Sequence, residues 1–347
     1  MNLTFETRFL KKRFPLKISR GTHSGRDNLF IAFSQGDVTG WGEMSPGKTE
    51  GADTTDSAAA SIQLLFDTNL EGLSVQQIYD RGMEMDIPAC ALAGIDIALW
   101  DWLGKKQQTP LYIMFGLSKP KVPSSVTIGI NPPEIVRERV PLLMEGTGVR
   151  SLKIKLGSPD GEEADRAMFN QVVESTRSYD VKLRVDANGG WDLNTAKRMM
   201  KWLAENGVDY IEQPLKEGEE DQLPELFKNR ALPIYVDESC RFASDIPKFA
   251  HAVDGVNMKL MKCGGLTGAL RITATARAFG LKTMIGCMGE SSMSISAAAA
   301  ITGMLDHIDL DSHLNLDPDP CTGASFVDGV VVPNDLPGHG AQLKNDI

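Results

Sequence analysis

The 347-residue chain is 42 % hydrophobic and 24 % charged, the balance of a globular protein with a sizeable core. Its net charge of −10, from 46 acidic and 36 basic residues, argues against general binding to nucleic acid or an anionic membrane, which needs clustered Lys and Arg, but leaves room for an anionic small molecule at a locally basic site. The five cysteines are odd in number, widely spaced and free of any Cys-x-x-Cys pair, which points to reduced thiols in a cytoplasmic protein rather than disulfides or zinc. The N-terminus lacks the charged start and apolar run of a signal peptide, and no stretch reaches the length of a membrane-spanning helix.

Residues 2–10 alternate as a strand, and 29–33 and 39–43 suggest two more joined by a turn at Gly36-Asp37. Helical spacing follows over 55–67, 75–83 and 89–105, the last with Pro88 near its start. These elements read as an α+β domain over 1–120, ending at Lys119-Pro120-Lys121-Val122-Pro123. The pattern then changes. Strand-like runs over 125–130, 151–156, 181–186, 209–213, 233–237, 255–260, 281–286 and 307–311 begin 22 to 30 residues apart, with helix-like runs such as 194–206 and 268–279 between them. Eight βα units point to a parallel (β/α)8 barrel over 121–323, and the absence of a glycine-rich dinucleotide fingerprint disfavours a Rossmann sheet. The closing segment, 324–347, contains a hairpin-like run over 326–332 and is expected to return to the first domain.

A barrel carries its chemistry at the C-terminal ends of its strands. Asp186, Glu212 and Asp237 end three successive strands, one βα unit apart. One such acid is accounted for as a helix cap, but three in register crowd and repel unless a cation neutralises them, and oxygen-only donors suit Mg²⁺. Lys153 and Lys155 alternate by two and share a strand face, while Leu152, Ile154 and Leu156 supply the apolar one. Two inward lysines need anions nearby. Lys259, ending the sixth strand, stands across the rim from Lys155. Removing a proton from carbon next to a carboxylate makes a dianionic enediolate, which a metal and Lys153 stabilise. Lys155 and Lys259 on opposite faces of that carbon would remove a proton and return one, inverting it.

The ordered motifs Lys153-Ile154-Lys155, Asp186-Ala187-Asn188, Glu212-Gln213-Pro214, Asp237-Glu238-Ser239 and Asn257-Met258-Lys259 through Lys262 to Gly264-Gly265 resemble the muconate-lactonising subgroup of the enolase superfamily. The run Ala89–Asp101 is similar to a helix of that family's capping domain. The resemblance implies an α+β cap on a modified TIM barrel, (β/α)7β. It implies Mg²⁺ on Asp186, Glu212 and Asp237, Lys155 and Lys259 as the acid/base pair, and Asn188, Glu238, Lys262 and Glu290 as their supports. His307-Ile308-Asp309-Leu310-Asp311 resembles the Asp-x-Asp motif of the dipeptide epimerases, whose two acids hold the free ammonium of a dipeptide. N-acyl amino acid racemases, o-succinylbenzoate synthases and cycloisomerases share the machinery but have no ammonium to hold, and a non-catalytic barrel is a third alternative. The resemblance assigns the dipeptide's second side chain to capping-domain loops, here those with His23, Arg26 and Lys48. Ala-Glu epimerases carry an arginine where this chain has His23, so the choice of dipeptide and its stereochemistry stay open. A homo-oligomer is compatible with the sequence and is not fixed by it.

Overall fold

The structure, a computed structural model, describes residues 1–344. Its first unit is an antiparallel sheet in the order β1-β2-β3, formed by β1 (Asn2–Ile18), β2 (Gly21–Gln35) and β3 (Val38–Met44), and backed by helices α1 (Thr55–Phe66), α2 (Val75–Glu84), α3 (Ala89–Lys106) and the short α4 (Leu111–Met114). β1 is longer than the alternation of 2–10 suggests. Lys11-Lys12-Arg13 interrupt that pattern, yet pairing with β2 resumes at Leu16↔His23 after an irregularity between Lys11 and Leu16. α3 is buried along most of its length beneath the sheet. The sheet approaches it so closely that a Cβ on Gly42 would stand 2.0 Å from the Gly94 carbonyl oxygen, so the Trp41-flanking glycines are required by packing.

Eight parallel strands follow: β4 (Val126–Ile128), β5 (Ser151–Lys155), β6 (Lys182–Asp186), β7 (Val208–Glu212), β8 (Ile234–Val236), β9 (Gly255–Lys259), β10 (Lys282–Gly286) and β11 (His307–Ile308). They pair in sequence order, and the Ser125 amide donating to the Ile308 carbonyl at 2.9 Å joins the two ends. The intervening helices are α5 (Pro133–Met144), α6 (Glu162–Thr176), α7 (Leu193–Glu205), α8 (Leu223–Lys228), α9 (Ile246–Phe249), α10 (Leu260–Cys263) with α11 (Leu266–Ala278), and α12 (Ser292–Ala299). β11 is followed by a single 3-10 turn, Ser312–Asn315, in place of a helix. The eighth unit of the expected (β/α)8 pattern is therefore incomplete, and the architecture is (β/α)7β, as the family resemblance implies.

After β12 (Cys321–Thr322) comes the hairpin of β13 (Ser325–Val327) and β14 (Val330–Val332). The hairpin sits on the barrel, not on the first unit: the Ser124 amide donates to the Gly329 carbonyl at 2.8 Å, just before β4. Within the closing segment, hydrogen bonds to the first unit come after the hairpin. The Leu111 amide donates to Gly338, and His339 donates its amide to Asp101 at 3.0 Å and places Nε2 2.8 Å from the Trp41 carbonyl. β15 (Gln342–Leu343) then pairs with β12. Residues 345–347 lie outside the described part. Among described residues, no helix is long and apolar enough to cross a membrane, and all five cysteines are free.

Candidate active site

The pleat of β5 sends Lys153 and Lys155 to the barrel interior, while Leu152 and Ile154 pack outward with no exposed surface. The parallel register sets Lys155 beside Asp186 and Asp186 beside Glu212 on neighbouring strands. Asp186, Glu212 and Asp237 are all fully buried, and their nearest carboxylate oxygens lie within 4.8 Å of one another. Lys155 Nζ is 2.5 Å from Asp186 and Lys259 Nζ is 2.7 Å from Asp237. β5 and β9 are four strands apart in a closed ring of eight, so the two ammonium groups reach the carboxylates from opposite sides. Lys153 lies between, 2.7 Å from Asp309, 2.8 Å from Glu212 and 3.2 Å from Asp186.

Burial alone would raise the Asp186 carboxyl, but Lys155 and Lys153 override it and hold it below the usual range. Asp237 behaves alike: burial opposes ionisation, and Lys259 and Lys262 outweigh it. Glu212 moves the other way, raised by burial and by the negative charge of Asp186. Lys259 and Lys153 are each pulled down by burial and pushed above their ordinary value by the acids around them. Charge balance in the pocket is therefore tight, and Glu212 carries the residual repulsion. The Glu212 Oε2 atom lies within reach of Lys153 but forms no directional hydrogen bond. An oxygen-only cluster of three buried carboxylates with one under-satisfied oxygen fits Mg²⁺.

The supporting residues hold these groups in fixed poses. Asn188 and Gln213 adopt positive φ angles of 44° and 37°, which costs backbone strain just beyond two of the carboxylates. That turn lets the Asn188 amide donate to Asp186 at 2.7 Å, and lets Gln213 Oε1 accept from the Asp237 amide at 2.8 Å. Lys262 donates to Asp237 and to the Cys240 and Asn257 carbonyls, which ties Asp237 to the backbone of the following loop and of β9. Glu238 accepts from Arg20 at 2.7 Å and from Asn188 at 3.2 Å, tying the tip of the β1–β2 hairpin to the barrel rim. Glu290 accepts from the Met288 amide at 2.7 Å, and burial pushes its carboxyl up to about 8.

Asp309 and Asp311 follow β11 and line the same cavity as Lys153, Lys155 and Lys259, a space of about 570 Å³. Asp309 gives one oxygen to Lys153 and leaves Oδ1 buried without a partner. Asp311 accepts from the Thr127 amide at 2.5 Å, and burial together with the Asp309 charge raises its carboxyl.

The capping-loop residues do not join this cluster. His23 is exposed and lines a separate polar groove with Arg26, whose guanidinium donates to Ser45 and to the Pro46 carbonyl. Lys48 is exposed on a 3-10 turn. These residues were expected as substrate contacts; His23 and Arg26 lie on β2 and Lys48 on the turn after β3, and none of the three lines the cavity.

Four site residues escaped sequence reasoning. Gln213 and Asn257, the latter donating to Glu212 at 2.8 Å, stand within quoted motifs next to residues that drew attention. Arg20 is the cap's contact with Glu238. Lys12 lines the cavity while nine-tenths buried; burial lowers its pKa, and Asp311 opposes that shift. Lys12 gave no signal, since it stands in the charged run Lys11-Lys12-Arg13 beyond the alternation of 2–10.

A closed parallel barrel, a buried carboxylate triad on three adjacent strands and lysines on either side define an enolase-type site. The chain belongs to the mandelate racemase / muconate lactonizing enzyme family: the model for that family's N-terminal domain matches residues 3–116, and the "Enolase C-terminal domain-like" model matches residues 136–347. The chain is 62 % identical to a "Hydrophobic dipeptide epimerase" from Flavobacteria bacterium, over 100 % of this chain and 99 % of that one. It is 58 % identical to a "Hydrophobic dipeptide epimerase" of Roseobacter litoralis, over 99 % and 100 %. Its fold matches the crystal structure of an Enterococcus faecalis dipeptide epimerase complexed with Mg and L-Leu-L-Tyr, with a TM-score of 0.90, 29 % identity and 98 % of each chain covered.

Proposed function

We propose that this chain is a Mg²⁺-dependent dipeptide epimerase that inverts the α-carbon of the C-terminal residue of dipeptides with apolar side chains. The observation that carries the reading is the approach of Lys155 and Lys259 to the triad from opposite sides, both more than nine-tenths buried. Asp186, Glu212 and Asp237 would hold the metal, which when bound supplies electrostatic stabilisation to a carboxylate whose neighbouring carbon loses its proton. One of Lys155 and Lys259 takes the α-proton onto Nζ, leaving an enediolate, and the other delivers a proton to the opposite face. Lys153 keeps its ammonium group beside the developing charge. Asp309 Oδ1, buried and unpartnered, and Asp311 accept the substrate's free ammonium, which supports a dipeptide over an N-acyl amino acid. The predominantly apolar cavity wall and the names of two similar relatives support apolar side chains.

We further take 1–120 as the capping unit and 121–323 as the catalytic barrel, and the free cysteines support a cytoplasmic location. The test is a dipeptide library with Mg²⁺ in D₂O, read by proton NMR. Loss of the α-hydrogen signal of the C-terminal residue, with appearance of the second diastereomer, is expected for apolar dipeptides. No exchange with any dipeptide would overturn the reading.

A further inference from the structure

The ring of strands is least well closed where its first and last members meet. β4 has three residues and β11 two, and each forms a parallel ladder with its other neighbour. Between them stands a single bridge, Ser124↔Ile308. Yet this seam carries Asp309 and Asp311, the two acids at the cavity. Side chains close it. The Leu310 amide, between the two acids, donates to Ser124 Oγ at 2.8 Å, and that hydroxyl donates to the Ser125 carbonyl at 3.1 Å. The Ser124 amide is in turn held by the Gly329 carbonyl of the hairpin. Arg184, on β6, reaches across β5 to the same place. Its Nη1 donates to Ser125 Oγ at 2.8 Å and to the carbonyl of Ile308, the residue before Asp309, at 3.4 Å.

Both side chains are buried, and neither lines the cavity, so neither touches substrate. Arg184 is 4 % exposed and forms no ion pair among the described residues; its guanidinium lies 5.5 Å from the Tyr210 ring centroid. A buried cation without a paired acid is costly to keep. A task at the seam accounts for Arg184 where charge pairing does not.

We propose that Ser124 and Arg184 are positioning residues for the reaction: by locking the seam they set the spacing and aim of Asp309 and Asp311 toward the substrate ammonium. The inference rests on the dipeptide-epimerase reading above. The acids are tied one by one, Asp309 to Lys153 and Asp311 to the Thr127 amide. The chain that joins them is held on the β4 side at Ile308 and Leu310, by the contacts just described. An ammonium gripped by two carboxylates needs both within hydrogen-bond distance at once. Loss of either seam contact frees that chain to shift, and a displacement on the order of 1 Å takes a carboxylate oxygen out of reach.

The test reads the ammonium's share of binding. Isothermal titration calorimetry on the Mg²⁺-loaded enzyme gives Kd for L-Leu-Gly and for isocaproyl-Gly, the same molecule without its amine. Glycine has no stereocentre, so no epimerisation heat intrudes. In wild type the amine is expected to tighten binding roughly 10- to 100-fold. In Ser124→Ala and in Arg184→Met that ratio is expected to fall by roughly tenfold, with Kd for isocaproyl-Gly close to wild type. Ser124→Ala removes one hydroxyl and keeps the proposal falsifiable should Arg184→Met not fold. A wild-type ratio in either folded variant overturns the proposal for that residue. A parallel rise of both Kd values overturns it too, since a merely structural weakening acts on both ligands alike. Failure of the underlying reading looks different: wild type itself would then hold the two ligands equally.

Discussion

Asp309 has two duties in this site. Its Oδ2 accepts from Lys153 at 2.7 Å, and its Oδ1 is buried with no partner. A hydrogen bond to a charged group contributes about 1.5–3 kcal/mol. Asp309→Asn is therefore expected to lower kcat/KM for free-amine dipeptides by roughly 10- to 100-fold, measured by steady-state polarimetry. Equal turnover by the variant would exclude an ammonium contact at this oxygen. At this scale the sequence was most legible where residues repeat with the barrel period. Asp186, Glu212 and Asp237 recur at strand ends, and the alternation of Lys153 with Lys155 fixes their face. Asn257 and Arg20 were not legible as site residues, because their partners, Glu212 and Glu238, become neighbours only when strands or whole units come together. His23, Arg26 and Lys48 do not line the cavity, because charge and loop position alone do not say where a side chain lands.

Among the elements, the contact between β3 and α12 ties cap to barrel. Glu43, fully buried at the end of β3, accepts from the Ser291 amide at 2.9 Å, from the Ser291 hydroxyl at 2.7 Å and from the Ser294 amide at 3.1 Å. It thus caps a helix of the other unit, and Asn28 of β2 donates to it as well, at 2.7 Å. Burial raises the Glu43 carboxyl, and the Ser291 and Asn28 bonds pull it back. Glu43→Ala removes the cap and leaves buried N–H groups unpaired, so a loss of about 2 kcal/mol is expected. Urea unfolding checks this, with an unchanged midpoint as the contrary result. Most helices and strands were legible from periodicity to within a few residues, but β1 and β2 run well beyond the expected 2–10 and 29–33. The partners of Leu16 to Ile18 lie on β2 and that of Lys12 is Leu316, so no pattern local to β1 reveals the continuation. The C-terminal hairpin was likewise legible as a hairpin, but its seat on the barrel depends on the Ser124–Gly329 bond between distant segments.

For the whole molecule, the bottom of the barrel matters as much as its top. His307, at the start of β11, has its ring centroid 4.9 Å from Tyr210 and 5.2 Å from Tyr235, with Nδ1 buried and unpartnered. Burial, helped by Arg184, lowers its pKa from 6.5 to about 4. The folded state then binds this proton more weakly than the unfolded one. The contribution is complete above pH 6.5 and is lost as the pH falls from 6.5 through about 4. His307→Gln should take up one proton fewer on unfolding across that window, read from the pH dependence of the urea midpoint. An unchanged dependence would show that His307 charges freely in the folded protein. Eight strands at a regular period made the barrel legible, whereas the missing eighth helix followed only from the family resemblance, since a short turn such as Ser312–Asn315 does not announce itself.

Everything in the proposed reaction depends on two lysines acting from opposite faces of one carbon. The most direct measurement is α-deuterium incorporation in D₂O by Lys155→Ala and Lys259→Ala, each presented with both epimers of one apolar dipeptide and Mg²⁺. Two-base inversion predicts that neither variant interconverts the epimers, while each still exchanges the α-hydrogen of one epimer, the opposite one in the two variants. Interconversion surviving in either variant, or the same epimer exchanging in both, would contradict it.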